Sequence, residues 1–330
     1  MPPLAVTMGE PAGIGPELIA RIWRDRAQLK IPPFVYVGSR EAILAVDPKL
    51  PTVMVSESDI GSATSGSALP IFDVPLSEPI EFGQLNVKNG SSVIQAIDTA
   101  VRLTENGVAS GVVTSPIHKE GLYKSGFDAP GHTEYLARLA GLPDDHSIMM
   151  LSTDGLRVIP VTVHVPLSEV ATTLTADRIL HAGLVAAEDL KHRFGIDKPR
   201  LAVAGLNPHA GEGGTIGMEE GTHITPAIWA LRDHGIEVVG PVPADSLFHE
   251  EARASYDVAL CMYHDQALIP LKTLDFWGGV NVTLGLPFVR TSPDHGTALS
   301  LAGTGKARVD SMVAALRTAD EMVKNSAETA

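Results

Sequence analysis

Short β-branched runs alternate with longer amphipathic segments along almost the whole chain, and this alternation constrains the fold more than any other feature. "LAVTMG" leads into "PELIARIWRDR", "FVYVG" into "SREAILAV", and "SGVVTSP" follows "SSVIQAIDTAVRLTENG". Farther on, "RLAVAGL", "MEEGTHITPAIWALRDHG", "IEVVGP" and "YDVALCMYH" continue the pattern. Strands that alternate with helices imply crossover units and a largely parallel sheet, hence an α/β protein. "VIPVTVHV" alternates less cleanly and reads as an antiparallel partner of "HSIMMLS". Residues 56–68, "SESDIGSATSGSA", are the best internal loop candidate, and only the closing "NSAETA" reads as unstructured. A chain of 330 residues suits one large α/β domain or two lobes.

Composition narrows the partners. The formal net charge of −14 argues against non-specific nucleic acid or anionic membrane binding, which needs basic surface. An anionic ligand would have to be held by cations gathered locally. No apolar stretch is long enough to span a bilayer, and "MPPLAVTMGEP" lacks a cationic region followed by an apolar core, so a cytoplasmic location is expected. The single cysteine, Cys261, excludes an internal disulfide framework and fits a reducing compartment. Within "DVALCMYH" it reads as a small buried apolar residue rather than a nucleophile.

Three histidines share one placement. His164 ends "VIPVTVHVP", His209 follows "LAVAGLNP" inside "GLNPHAGEGG", and His264 ends "VALCMYHDQ". Each falls at or just beyond the C-terminal end of an expected strand, where open α/β sheets bind ligands. Three imidazoles converging there would make a divalent metal site with an open position; three separate structural histidines are the competing reading. "APGHTEYLARLAG" puts His132 and Thr133 at a helix start, where free N–H groups accept phosphate or carboxylate; Thr133 is also a plausible N-cap. "LIPLKTLDFWGGVNVTLGLPFVRTSPDHGTA" sets Lys272, Asn281, Arg290 and Asp294 among glycines and prolines, a pattern that suits an anionic substrate.

Two glycine-rich stretches fail as nucleotide signatures. In "TMGEPAGIGPELIA" the third glycine of G-x-G-x-x-G is Leu18, and Pro16 reads as the first helical residue. "AGTGKA" has Ala307 where a P-loop needs Ser or Thr. The residues that would bind a nucleotide stay unassigned.

Taken together, "GEPAGIGPE", "GHTEYLA", "VTVHVPL", "GLNPHAGEGG", "GPVPADSLF", "CMYHDQALIPLK" and "VNVTLGLPFVRTSPDHGTALSLAGTGKA" resemble the 4-hydroxythreonine-4-phosphate dehydrogenase family of pyridoxal phosphate biosynthesis. The resemblance spans nearly the whole chain. It implies an isocitrate/isopropylmalate-dehydrogenase-like fold, two α/β lobes with a central cleft. The lobes are expected at residues 1–125 with 290–330, and at 126–289. It further implies NAD or NADP, a divalent metal (Zn, Mg or Co), and a homodimer with active sites at the subunit interface. Carried over residue by residue, the family's metal ligands fall on His164, His209 and His264, and its substrate contacts on His132, Thr133, Lys272, Asn281 and Arg290. Lys272 is also a candidate general base. "SPIHKEGLYKSGF" and "KTLDFWGGVN" depart from the family's usual pattern. The implied reaction oxidises 4-phosphohydroxy-L-threonine at C3 and decarboxylates the product to 3-amino-2-oxopropyl phosphate. Dehydrogenases of threonate or erythronate 4-phosphate, or of cyclic dihydrodiol carboxylates, share much of the pattern. A metal-dependent hydrolase and a phosphate-binding module are the readings from other classes.

Overall fold

Twelve strands carry the fold in the computed structural model, which describes residues 1–329: β1 (Leu4–Thr7), β2 (Phe34–Gly38), β3 (Thr52–Met54), β4 (Leu69–Asp73), β5 (Val112–Thr114), β6 (Ile148–Thr153), β7 (Leu156–Thr162), β8 (Arg200–Ala204), β9 (Glu237–Val242), β10 (Val258–Tyr263), β11 (Val280–Leu284) and β12 (Arg290–Pro293). The chain divides into two units, residues 1–146 with 286–323, and residues 147–285 with the stretch from Lys324. No helix among the described residues is long and apolar enough to cross a membrane.

In the first unit the strands run in the order β3-β4-β2-β1-β5-β12, and every pairing is parallel. β1 and β2 are buried along their whole length, as continuous apolar runs covered on both faces must be. The helix Gly90–Glu105 buries Val93, Ala96, Ile97, Ala100 and Val101, one helical stripe at i, i+3, i+4, i+7 and i+8. The helix Gly15–Arg24 carries proline in its first turn and buries Trp23, whose ring meets Phe34 edge-on at 5.3 Å. The glycines of the opening motif serve packing here. A Cβ on Gly15 would lie 2.5 Å from the Met8 carbonyl oxygen, and one on Gly13 would lie 2.9 Å from that of Thr297. Glu17 then accepts from the backbone N–H of Gly303 and Ala307, tying down the "AGTGKA" loop.

The second unit orders its strands β11-β6-β7-β10-β8-β9. β7, β10, β8 and β9 are parallel, whereas β6 is antiparallel to both β7 and β11. The β6–β7 hairpin expected from the sequence is present, closed by Asp154 and a left-handed Gly155. Cys261 sits in the core of this unit with Val158, Ala202, Ala259 and Leu271, and burial pushes its thiol pKa up, so it packs and does not react. The long helix Ala176–Phe194 starts where Thr175 accepts from the Arg178 N–H and stops at left-handed Gly195.

Two local expectations are revised. Residues 325–329, read as unstructured, continue the helix Asp310–Thr329, where Asn325 donates to the Arg193 carbonyl; Ala330 lies outside the described residues. The expected 56–68 loop contains a 3-10 turn at Glu57–Asp59 and a four-residue helix at Ile60–Ala63. Ser56 and Asp59 form a capping box there, a local hydrogen-bond pattern that composition alone hides.

Candidate functional site

β7, β10 and β8 are adjacent and parallel, so their carboxyl ends form one edge of the sheet in the second unit. His164 lies two residues past β7, His264 directly follows β10, and His209 stands in the loop after β8. A cavity of about 270 Å³ at the ends of β7 and β10 is lined by Thr162, His164, Leu167, Val170, Tyr263 and His264. The His164 and His264 rings lie 6.1 Å apart, centroid to centroid, inclined by 40°. With metal–nitrogen bonds of about 2 Å, two imidazoles on one tetrahedral ion place their centroids roughly 5 Å apart, so the pair would share a cation after closing by about 1 Å. The His264 Nδ1 is 2.7 Å from Asp265 Oδ1. A carboxylate only accepts, so Nδ1 is the donor in this contact and Nε2 is the ring nitrogen left to face a metal. Among the described residues no three His, Cys, Asp or Glu side chains gather into a metal-holding group. One chain therefore brings together His164 and His264 and leaves His209 outside the pair.

His209 stands on an unusual backbone. Five consecutive residues are left-handed: His209 (φ 53°), Ala210 (51°), Gly211 (77°), Glu212 (45°) and Gly213 (67°). Non-glycine residues avoid this region at a cost of roughly 1–2 kcal/mol each, and three of these five carry that cost, so hydrogen bonds must offset it. The support begins at Asn207. Its N–H donates to Glu220 Oε1 at 2.7 Å, and its Nδ2 donates to Glu219 Oε2 at 2.8 Å and to Glu220 Oε2 at 3.0 Å.

Lys272 and Asn281 also belong to the second unit. Lys272 lies on the helix His264–Leu274, its ammonium 5.4 Å from the Phe276 ring centroid. Asn281 lies on β11, opposite Leu151 of β6, and its buried Oδ1 has no hydrogen-bond partner, a free acceptor in a half-buried place.

His132, Thr133 and Arg290 belong to the first unit. Arg290 opens β12, is 2% exposed, and donates from Nη2 to the Thr114 hydroxyl at 2.6 Å. Burial brings its guanidinium pKa down to about 10, still charged at neutral pH. Asp294 follows β12, with its N–H held by the Ser311 hydroxyl. His132 is the first residue of the helix His132–Leu139, and its buried Nε2 has no hydrogen-bond partner. Burial, then the charges of Arg290 and Lys119, hold this imidazole well below its ordinary 6.5, so it is neutral at pH 7. Gly131, not Thr133, is the N-cap, and no side chain caps this helix; Thr133 sits in its first turn.

Lys119 escaped the sequence reading, as did Glu220. A Cβ on Gly131 would lie 3.4 Å from the Lys119 Nζ and 3.0 Å from Glu134 Oε2, so this lysine stands beside the uncapped helix start. His118 caps the short helix that carries it, accepting the Gly121 N–H on Nδ1. The available signal was "IHKEG" directly after the β5 run, a cation at a strand end.

Relatives decide the family. The family model of the pyridoxal phosphate biosynthetic protein PdxA matches residues 30–319. The chain belongs to the PdxA family. A Caulobacter vibrioides protein named 4-hydroxythreonine-4-phosphate dehydrogenase is 48% identical over 321 residues, covering 96% of each chain. The crystal structure of 4-hydroxythreonine-4-phosphate dehydrogenase from Klebsiella pneumoniae matches with a TM-score of 0.88 at 40% identity, over 98% of this chain and all of that one. A terephthalate 1,2-cis-dihydrodiol dehydrogenase from Burkholderia xenovorans follows at a TM-score of 0.68 and 27% identity, over 96% of this chain and 97% of its own. The α/β fold expected from the sequence is thus the fold of PdxA family members.

Proposed function

We propose that the chain is an NAD(P)-dependent, divalent-metal-dependent dehydrogenase. It oxidises 4-phosphohydroxy-L-threonine at C3 and decarboxylates the β-keto acid to 3-amino-2-oxopropyl phosphate, for pyridoxine 5'-phosphate synthesis in the cytoplasm. The observation that carries this reading is a near-full-length likeness, at 48% identity, to a protein named for that substrate. The strand-end pair His164 and His264 supports the metal.

His164, His209 and His264 would hold zinc, magnesium or cobalt, with Asp265 fixing the His264 tautomer. The chain works as a homodimer in which a second copy completes the ligand set that one chain leaves at two imidazoles. Exposed Leu167, Ile269, Phe276 and Trp277 in the second unit suit such an association. When bound, the ion would supply Lewis acidity towards the substrate's hydroxyl and carbonyl oxygens, and the nicotinamide would supply the hydride acceptor. Arg290, Lys119 and the neutral His132 grip an anionic end of the substrate, with Thr133 in the uncapped first turn. Asn281 Oδ1 accepts from the substrate ammonium group. Lys272 is the candidate to receive the C3 hydroxyl proton.

A second reading is favoured by one observation, the likeness to the dihydrodiol dehydrogenase. A substrate panel separates the two. Reduced nicotinamide should form fastest with 4-phosphohydroxythreonine. Faster turnover of threonate 4-phosphate, erythronate 4-phosphate or a cyclic dihydrodiol carboxylate would replace the first reading.

A further inference from the structure

The left-handed turn 209–213 is held by a carboxylate that comes from outside it. Glu220 is 5% exposed and opens a π-helical turn, Glu220–Ile224, that precedes the helix Thr225–Asp233. Both of its oxygens face donors of Asn207, two residues before His209: Oε1 takes the backbone N–H at 2.7 Å and Oε2 takes Nδ2 at 3.0 Å. Two glycines make room for it. A Cβ on Gly211 would stand 2.5 Å from Oε2, and one on Gly205 would stand 3.3 Å from Oε1. The base of the loop is fixed separately. Gln266 donates to the Gly205 carbonyl at 2.7 Å and accepts from the Met262 N–H at 2.6 Å, which fastens the loop to β10, the strand that His264 follows. The residue types at 209, 210 and 212 do not favour the left-handed conformation. The Ala210 N–H donates to the Asn207 carbonyl at 3.1 Å, so the same residue that Glu220 holds also closes the first turn.

We propose that Glu220 is a positioning residue: its buried carboxylate holds the entry to the left-handed turn and thereby sets where the His209 imidazole stands as a metal ligand. The inference rests on the reading of His209 as a ligand. Glu220→Gln is the sharp probe, because it keeps size and one acceptor oxygen. It turns the other oxygen into an amide donor that must face a donor of Asn207. Outer partners that orient metal ligands typically contribute about 10- to 100-fold to metal affinity.

The test is a double-mutant cycle read as zinc affinity, by competition with a chelating dye and without substrate, on wild type, Glu220→Gln, His209→Ala and the double variant. Melting temperature is recorded for each. The expected result is a loss of about 10- to 100-fold for Glu220→Gln and less than about twofold further loss when the same change is made in His209→Ala. Unchanged affinity in Glu220→Gln overturns the proposal. So does an equal loss in both backgrounds, because Glu220 would then act through something other than His209. Wild-type affinity in His209→Ala removes the ligand reading itself, and the variant that shows it differs from the one that would fail the clamp. If Glu220→Gln does not fold, Asn207→Ala takes its place in the cycle. It deletes the two Nδ2 bonds and keeps the backbone bond to Glu220, and it should weaken zinc binding only while His209 is present.

Discussion

Arg290→Lys separates geometry from charge at the residues of the first unit proposed to bind an anion. The wild-type guanidinium is buried, and one of its nitrogens is committed to Thr114 at 2.6 Å. That bond fixes the plane of a guanidinium, the group whose fork matches an oxyanion through parallel hydrogen bonds. A lysine ammonium keeps the positive charge and cannot hold Thr114 and two oxyanion oxygens in the same plane. One lost hydrogen bond to a charged group costs about 1.5–3 kcal/mol, roughly ten- to a hundredfold in kcat/KM. Contacts made equally in ground and transition states act on KM, so the loss should appear there with kcat nearly kept. The assay is steady-state reduction of nicotinamide with 4-phosphohydroxythreonine, with metal content and melting temperature checked. Repeating it with unphosphorylated 4-hydroxythreonine assigns the anion. A penalty seen only with the phosphorylated substrate places Arg290 on the phosphate, and an equal penalty places it on the carboxylate. Unchanged kcat/KM with both substrates would refute the reasoning and leave Arg290 a core residue.

Three further outcomes are expected. His132 is held neutral when folded and protonates near 6.5 when unfolded, so the unfolded chain binds the extra proton and stability falls as pH drops from about 6.5 towards the depressed folded pKa; His132→Asn should flatten that part of the urea-midpoint-versus-pH curve, and an identical slope would contradict the burial argument. Glu212→Gly relieves a left-handed glutamate at φ 45° and should raise stability by about 0.5–1 kcal/mol in urea unfolding, whereas a lower midpoint would show that the turn is not strained there. Stripping divalent ions with a chelator should abolish turnover, restored by zinc, magnesium or cobalt; activity that survives verified metal removal would end the metal reading.

The strand-and-helix alternation was readable because its cause is local. Val93, Ala96, Ile97, Ala100 and Val101 carry their own period, and the antiparallel pairing of β6 with β7 showed in the less regular alternation of "VIPVTVHV". The histidines were findable for a related reason, since the end of an apolar run marks the end of a strand. What stayed hidden depends on contacts between distant positions. Lys119 reaches the start of a helix that begins thirteen residues later, and Gln266 holds a carbonyl sixty-one residues before it. The left-handed turn at His209 was invisible for a sharper reason. Histidine, alanine and glutamate all avoid that conformation, so their identities argue against it, and the clamp that enforces it lies at Glu220.

Oxidation at C3 and loss of the carboxylate are proposed to occur together in one chain. The most direct measurement follows reduced nicotinamide and released CO2 together as the metal-loaded enzyme turns over 4-phosphohydroxythreonine. The account predicts one CO2 for each nicotinamide reduced, and neither product without the metal. Nicotinamide reduced with the carboxylate retained, or no reduction at all with this substrate, would contradict it.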